Sequence, residues 1–239
     1  MKLGLIGFPL SHSFSPGYFS EKFKTHNLPN HEYKAYPIED ISQLLDILDQ
    51  GVTGLNITIP YKEQILPYLD IISNDAYEIG AVNTLKIENG KLAGYNTDVI
   101  GFEKSLLKLL GNAKIESALI LGTGGAAKAV QFVLKKLSIN YQIVSRKASY
   151  LNYKDLQKQD IIKSQLIINT TPLGMYPHVD KCPDIPYEYL SSKHFLYDLV
   201  YNPEKTLFLN NGDEKGSKTK NGYDMLIIQA EESWKIWNK

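Results

Sequence analysis

A two-domain α/β fold is predicted by two features of the chain. Short apolar runs alternate with helix-periodic segments from the N-terminus onward, and a strand, a glycine-rich turn and a helix follow one another around Gly122–Ala127. Alternation at this spacing marks βαβ units and a mostly parallel sheet. A length of 239 residues suits one large or two small domains. With 43% hydrophobic and 22% charged residues, the chain can bury a sizeable core and does not have the composition of a disordered one.

Leu3–Gly7 is a short apolar run ending in glycine, as a buried parallel strand should. Proline is at home in a first helical turn, so a helix is expected after Pro16. Glu32–Tyr36 reads as the second strand. Asp40 is placed to cap a helix whose apolar positions Ile41, Leu44, Leu45 and Leu48 share one face, and Gly51 stops it. Gly54–Ile59, closed by Pro60, is the third strand. Val82–Ile87 and Lys91–Tyr95 flank Asn89-Gly90, a strong hairpin signal. Thr97 or Asp98 opens a helix with Phe102, Leu106, Leu107 and Leu110 on one face, and the domain boundary is expected there: residues 1–98 form the first domain and 99–221 the second. In the second, Ser117–Leu121 is a strand and Ala127–Leu137 a helix. Tyr141–Val144, Leu166–Ile168 and Phe195–Val200 are further strands, and polar Asn210–Lys220 reads as a loop. Tyr223–Trp237 is a helix with Met225, Ile228 and Trp234 among its apolar positions, and periodicity alone leaves open which domain it joins.

Composition removes several function classes. Lys+Arg and Asp+Glu both count 26, and a balanced surface argues against a dedicated nucleic-acid binder. The single cysteine, Cys182, can form no internal disulfide, and no Cys/His cluster offers a metal site, which fits a reducing, cytoplasmic setting. No stretch approaches the ~20 apolar residues of a membrane span. The apolar run after Met1-Lys2 is broken by Gly4, Gly7 and Pro9 and reads as a buried strand, not a secretion signal.

The chemistry-bearing signal is Gly122-Thr123-Gly124-Gly125-Ala126-Ala127, directly after the apolar strand Ala118–Leu121. It matches the G-x-G-x-x-G/A turn of dinucleotide-binding, Rossmann-like domains. Gly122 allows the tight turn, Gly124 lets the backbone approach a pyrophosphate, and Ala127 permits close helix–sheet packing. The helix start offers unpaired N–H groups and the positive end of its dipole to phosphates. An NAD site usually places an acid at the end of the next strand to bind the ribose hydroxyls. Here the residues are Ser145-Arg146-Lys147. A guanidinium there can stack on adenine and pair with a 2′-phosphate, so NADP is favoured over NAD.

Other segments go further. Pro9-Leu10-Ser11-His12-Ser13-Phe14-Ser15-Pro16 follows the first strand, Asn56-Ile57-Thr58-Ile59-Pro60-Tyr61-Lys62 ends the third, and Gly80-Ala81-Val82-Asn83-Thr84 and Asn96-Thr97-Asp98 bracket the hairpin. Asn169-Thr170-Thr171-Pro172-Leu173-Gly174-Met175, Tyr197-Asp198-Leu199-Val200-Tyr201-Asn202-Pro203 and Asn221-Gly222-Tyr223-Asp224-Met225-Leu226 with Gln229 complete the set. In this order, over nearly the whole chain, they resemble the shikimate/quinate dehydrogenase family. The resemblance implies an N-terminal α/β substrate domain, a Rossmann-like NADP-binding domain, and a C-terminal helix (222–239) returning to the first domain. It implies NADPH-dependent reduction of 3-dehydroshikimate to shikimate in aromatic amino-acid biosynthesis, by a monomer or homodimer acting on a small molecule. It further implies that Lys62 and Asp98 are the catalytic pair and that Ser13 and Ser15 bind the substrate carboxylate. By the same resemblance, Thr58, Asn83, Tyr201 and Gln229 would hold ring hydroxyls or the carboxylate. Gly122, Thr123, Gly124, Gly125 and Ala126 would cradle the pyrophosphate, and Ser145, Arg146 and Lys147 would bind the adenosine end. Thr170, Gly222 and Met225 would line the rest of the cofactor site. His12 is expected to be a loop or packing residue.

The chain departs from the family pattern at Val99, where glycine usually follows the aspartate, and at Thr123, Ser145 and Tyr223. It is also short between Arg146 and Leu166, which predicts a trimmed βα element, a more open adenosine end and looser NADP binding. Two other functions are carried as alternatives. A quinate or dual shikimate/quinate dehydrogenase would have to admit one more hydroxyl at the Ser13/Ser15 pocket. A non-catalytic metabolite sensor should have lost Lys62 or Asp98, and both are present.

Overall fold

The structure is a computed structural model and describes residues 1–10 and 13–239; Ser11 and His12, and the expectation for His12, lie outside the described residues. The chain divides into two compact units, Met1–Thr97 with Ala230–Lys239, and Asp98–Gln229.

The first unit contains β1 (Lys2–Gly7), α1 (Phe14–Thr25), β2 (Glu32–Pro37), α2 (Leu44–Leu48), β3 (Gly54–Ile57), β4 (Ile71–Ile72), α3 (Asn74–Ile79), β5 (Thr84–Glu88) and β6 (Lys91–Tyr95). Its six-stranded sheet has the order β2-β1-β3-β5-β6-β4. Strands β1, β2 and β3 are mutually parallel, while β5 runs antiparallel to β3 and β6. The hairpin follows from Asn89 and Gly90, whose φ values of 52° and 74° are those of a tight turn matched to strand twist. Asp40 caps as expected, accepting from Ser42 N at 2.8 Å, but it opens a single 3-10 turn before α2. One core packs Ile6, Leu44, Ile47, Leu55, Ile57 and Leu85. Leu45 is exposed, because adjacent helical residues point about 100° apart and the buried face takes Leu44 and Ile47.

The second unit runs α4 (Asp98–Leu110), β7 (Ser117–Leu121), α5 (Gly125–Lys136), β8 (Asn140–Val144), α6 (Lys158–Lys163), β9 (Leu166–Asn169), β10 (Phe195–Asp198), α7 (Leu207–Glu214), β11 (Lys218–Lys220) and α8 (Tyr223–Trp237), whose last residues belong to the first unit. Its five strands are all parallel, in the order β11-β10-β9-β7-β8. Chain direction across the sheet reverses between β7 and β9, and ligands of open α/β sheets bind outside the strand carboxyl ends at such a point. Phe102, Leu106 and Leu110 bury one face of α4, whereas Leu107 is exposed for the same angular reason as Leu45. The region expected as a loop, Asn210–Lys220, instead holds most of α7 and all of β11. Phe208 and Leu209 anchor α7 in the core, and Thr206 caps it through Leu209 N.

The end of α8 completes the first unit. Trp237 packs with Leu3, Phe19 and Phe23 and donates from Nε1 to Leu85 O at 2.9 Å. Glu231 pairs with Lys22 at 2.6 Å and accepts from the Tyr18 hydroxyl. Among the described residues, no helix is long and apolar enough to cross a membrane.

Candidate active site

In the first unit, the residues singled out by sequence gather at the carboxyl ends of β1 and β3. The two strand exits are tied together by Phe8 N donating to Ile59 O at 3.0 Å. Thr58 continues the β1–β3 ladder through its N–H to Ile6 O (2.9 Å). Lys62 lies in the turn series beyond, and its backbone is fixed from both sides. Its carbonyl accepts from Val82 N at 2.8 Å, and its neighbour Tyr61 is buried with its hydroxyl on Ile38 O at 2.6 Å. Asn83 enters beside β3, with Ile57 N on its carbonyl at 2.8 Å.

Asn83 is 3% exposed and belongs to a buried polar network that pattern reading missed. Its Oδ1 accepts from Thr97 N at 2.7 Å, and its Nδ2 donates to Thr97 Oγ1 at 3.0 Å. Asn56 Nδ2 reaches Ser233 Oγ (3.0 Å), Thr84 Oγ1 (3.3 Å) and Asn83 O (3.3 Å), while Asn56 Oδ1 accepts from the Tyr33 hydroxyl at 2.8 Å. The hydroxyl of buried Ser15 donates in turn to Tyr33, whose phenol burial pushes above its ordinary pKa. Ser13 stands at the N-terminal cap position of α1, with its N–H on Leu10 O at 3.2 Å. Asn83 and Ser15 are therefore held by Thr97, Asn56, Tyr33 and Ser233, so their orientation is set before any ligand arrives. Buried polar groups are costly unless bonded, and a satisfied network fixes one arrangement.

The second unit carries the cofactor motif at its switch point. Gly122 follows β7 with φ 112°, and a Cβ there would meet Thr170 Oγ1 at 2.7 Å. Thr170 follows β9 and bonds Leu121 O through both N (2.9 Å) and Oγ1 (2.8 Å). Gly122 and Thr170 thus meet across the β7/β9 crevice. Gly124, which has no side chain to cap with, is the N-cap of α5; Gly125 and Ala126 form the first turn, with Thr123 just before. A Cβ on Gly124 would meet nothing within 4 Å, so the space above it is open to a ligand. Ala127 is fully buried against the sheet. Open N–H groups, a positive dipole end and room above a glycine fit a pyrophosphate.

At the end of β8, Ser145 is buried, Arg146 and Lys147 are exposed, and Ser145 Oγ accepts from Lys147 N at 3.2 Å. The segment after it, up to β9, holds one 3-10 turn at Tyr153–Asp155 and the short α6. Tyr201 lines a cavity of about 640 Å³ with Asn221 and Tyr223, and burial raises the pKa of its phenol. Gly222 follows β11, where a Cβ would stand 2.2 Å from Leu199 O. Met225 and Gln229 are both buried against Gly101 of α4. Asp98 is the first residue of α4 and is 7% exposed, and Val99 behind it is buried. Among the described residues, no group of three or more His, Cys, Asp and Glu side chains could hold a metal ion.

Comparison with known proteins shows the family. Residues 5–85 match the model of the shikimate dehydrogenase substrate binding domain. A shikimate dehydrogenase (NADP(+)) of Methanococcus aeolicus is 41% identical over 98% of this chain and 91% of its own. The chain belongs to the shikimate dehydrogenase family. A Thermus thermophilus member, crystallised with NADP(H) and shikimate, is 30% identical and superposes with a TM-score of 0.88 over 99% of this chain and 93% of that one. A quinate dehydrogenase of Corynebacterium glutamicum, crystallised with NAD, is 28% identical and gives 0.89 over 99% and 93%. Family membership accounts for the two-unit α/β architecture, the parallel sheet of the second unit and the return of the chain's end to the first.

Proposed function

We propose that this chain is an NADP-dependent shikimate dehydrogenase, interconverting 3-dehydroshikimate and shikimate on the route to aromatic amino acids. The first unit is the substrate domain and the second the NADP domain. The observation that carries this reading is the first unit's set of neutral hydrogen-bonding groups: Ser15 in the first turn of α1 and Asn83 before β5, both held by buried partners, and Thr58 after β3, with Lys62 in the turn that follows. A polyhydroxylated ring is recognised by such groups, because an analogue lacking a hydroxyl leaves them unpaired.

When bound, NADPH supplies the hydride. Negative charge then develops on the substrate's ketone oxygen, and Lys62 donates the proton that neutralises it. The ammonium becomes a neutral amine and regains its proton from solvent. Asp98 accepts a hydrogen bond from a substrate hydroxyl and fixes the ring beside Lys62. In the reverse direction the neutral Lys62 is the base. Ser13 and Ser15 take the carboxylate, the Ser15 proton turning from Tyr33 to the carboxylate on binding, while Thr58, Asn83, Tyr201 and Gln229 hold the remaining oxygens. Gly122, Thr123, Gly124, Gly125 and Ala126 cradle the pyrophosphate. Ser145, Arg146 and Lys147 favour the 2′-phosphate, and Thr170, Gly222 and Met225 line the nicotinamide end.

The similarity to a quinate dehydrogenase supports a second reading, dual use of quinate. The enzyme works in the cytoplasm as a monomer or homodimer, a setting that suits its single free thiol. The test is Lys62→Ala, followed at the nicotinamide absorbance with shikimate and NADP. A fall in kcat of about 10²–10⁴ in a folded protein is expected; unchanged turnover sinks the catalytic assignment.

A further inference from the structure

The shortened segment after β8 does not leave the adenosine end bare. Leu151 bridges to Val144 in parallel, and Ser145 N donates to Leu151 O at 2.9 Å. Asn152 then caps the 3-10 turn by accepting from Lys154 N at 3.3 Å. This fold-back delivers Tyr153 and Lys154 to the carboxyl edge of β8, where they line a cavity of about 390 Å³ together with Arg146, Pro172 and Leu173. The cavity lies within the ordinary range of small-molecule sites, about 300–1,000 Å³. Tyr153 is half-buried; burial raises its phenol pKa while the Arg146 guanidinium lowers it, so the two groups are close enough to interact.

The lining sorts by chemistry. Tyr153, Pro172 and Leu173 provide flat and apolar surface, which suits a purine; base–aromatic stacking is worth roughly 1–3 kcal/mol per base in nucleic-acid complexes. Arg146 and Lys154 provide two cations, which suit a phosphate dianion better than a pair of ribose hydroxyls. Asp184 is the acid of the lining and can accept from the exocyclic amine of adenine. We propose that Tyr153 and Lys154 complete the adenosine 2′-phosphate subsite opened by Arg146 and Lys147, with Tyr153 as the adenine wall and Lys154 as a further cation on the phosphate. The short segment then contributes to selection of NADP over NAD instead of weakening it. This inference rests on reading the second unit as the NADP domain, and it assigns a specificity role to residues that the glycine-turn fingerprint does not include.

The test measures binding of 2′,5′-ADP and 5′-AMP by calorimetry to the full chain and to Lys154→Ala, Tyr153→Ala and Arg146→Ala, each checked for an unchanged thermal midpoint. The unaltered chain is expected to prefer 2′,5′-ADP by tenfold or more. Lys154→Ala should reduce 2′,5′-ADP affinity about tenfold and leave 5′-AMP untouched, with the loss shrinking as salt screens the charge. Tyr153→Ala should weaken both ligands by a similar factor. If the unaltered chain prefers 2′,5′-ADP and Arg146→Ala abolishes the preference while Lys154→Ala leaves it intact, the role of Lys154 is overturned and the NADP reading stands. A tyrosine variant that binds both ligands unchanged overturns the adenine wall. If the unaltered chain does not distinguish the two ligands, the NADP reading itself fails.

Discussion

The two units hold their candidate site residues by opposite means. In the first, side chains do the work and are buried, neutral and bonded to one another: Asn83 to Thr97, Asn56 to Ser233 and Tyr33. In the second, the glycine turn offers backbone N–H groups over open space, and the cations at the end of β8 are exposed. The first arrangement fixes a pattern of donors and acceptors, which is what discrimination among hydroxylated rings requires. The second fixes shape and charge, which is what a pyrophosphate and a 2′-phosphate require. Asp198, fully buried in the second unit, is structural. It accepts from Thr206 Oγ1 (2.5 Å), Asn169 Nδ2 (2.9 Å) and Val200 N (3.0 Å), tying the loops after β9 and β10 together.

The contrast can be broken most severely at Gly222. An added Cβ would stand 2.2 Å from a backbone carbonyl that cannot turn aside. Gly222→Ala is expected to destabilise the second unit by about 3 kcal/mol or more, measured by denaturant unfolding. A midpoint unchanged from the parent would show that the backbone yields there.

Next in size is a pH dependence that the second unit owes to Asp198. Burial pushes the carboxyl of Asp198 up to about 6, above the unfolded value near 3.8. The folded state therefore holds the proton more tightly, so the contribution of Asp198 to stability is fully present below about pH 4 and is lost as pH rises to about 6. The loss is at most about 3 kcal/mol, at 1.4 kcal/mol per unit. Asp224 and Asp213, whose pKa values are lowered by Lys220 and by Lys205 with Thr219, act in the opposite sense at the acid end of that range. Amide hydrogen exchange in β9 and β10 should follow this profile and flatten in Asp198→Asn, while the profile of β1 and β3 is unchanged by that substitution. An equal change in both sheets, or no flattening in the variant, would contradict it.

Asn56→Ala should cost the first unit about 2 kcal/mol, because Tyr33, Thr84 and Ser233 lose a buried partner. It should also raise the KM for shikimate while leaving that for NADP unchanged. Equal effects on both constants would mean that the network does not orient the substrate wall.

The smallest effect on stability, and the sharpest test of the contrast, is at Gly124. Its Cβ would meet no protein atom within 4 Å, and its φ is −76°. Gly124→Ala should leave the thermal midpoint unchanged and weaken NADP about tenfold or more, because only the ligand needs that space. Unchanged NADP affinity would remove the glycine turn from the cofactor site.

These residues also mark how much was legible in the sequence. The glycine turn, the Asn89-Gly90 hairpin and the exposed cations after β8 are local, and each was read within a few residues of its observed place. The buried network was not legible, because Asn56 and Ser233 stand 177 residues apart and nothing in either segment's pattern announces the pair. Strand β11 escaped because Lys218-Thr219-Lys220 is a short polar run at a sheet edge, paired only with β10. Helix α7 was hidden by Asn210-Asn211-Gly212, poor helix formers that Phe208 and Leu209 overrule by burial. Tyr153 and Lys154 carried no motif at all. Only the fold-back at Leu151 brings them to Arg146.

The most direct measurement is kcat/KM for shikimate and for quinate, each with NADP and with NAD. Shikimate with NADP is expected to exceed the other three combinations. A value for quinate with NAD that equals or surpasses it contradicts the assignment.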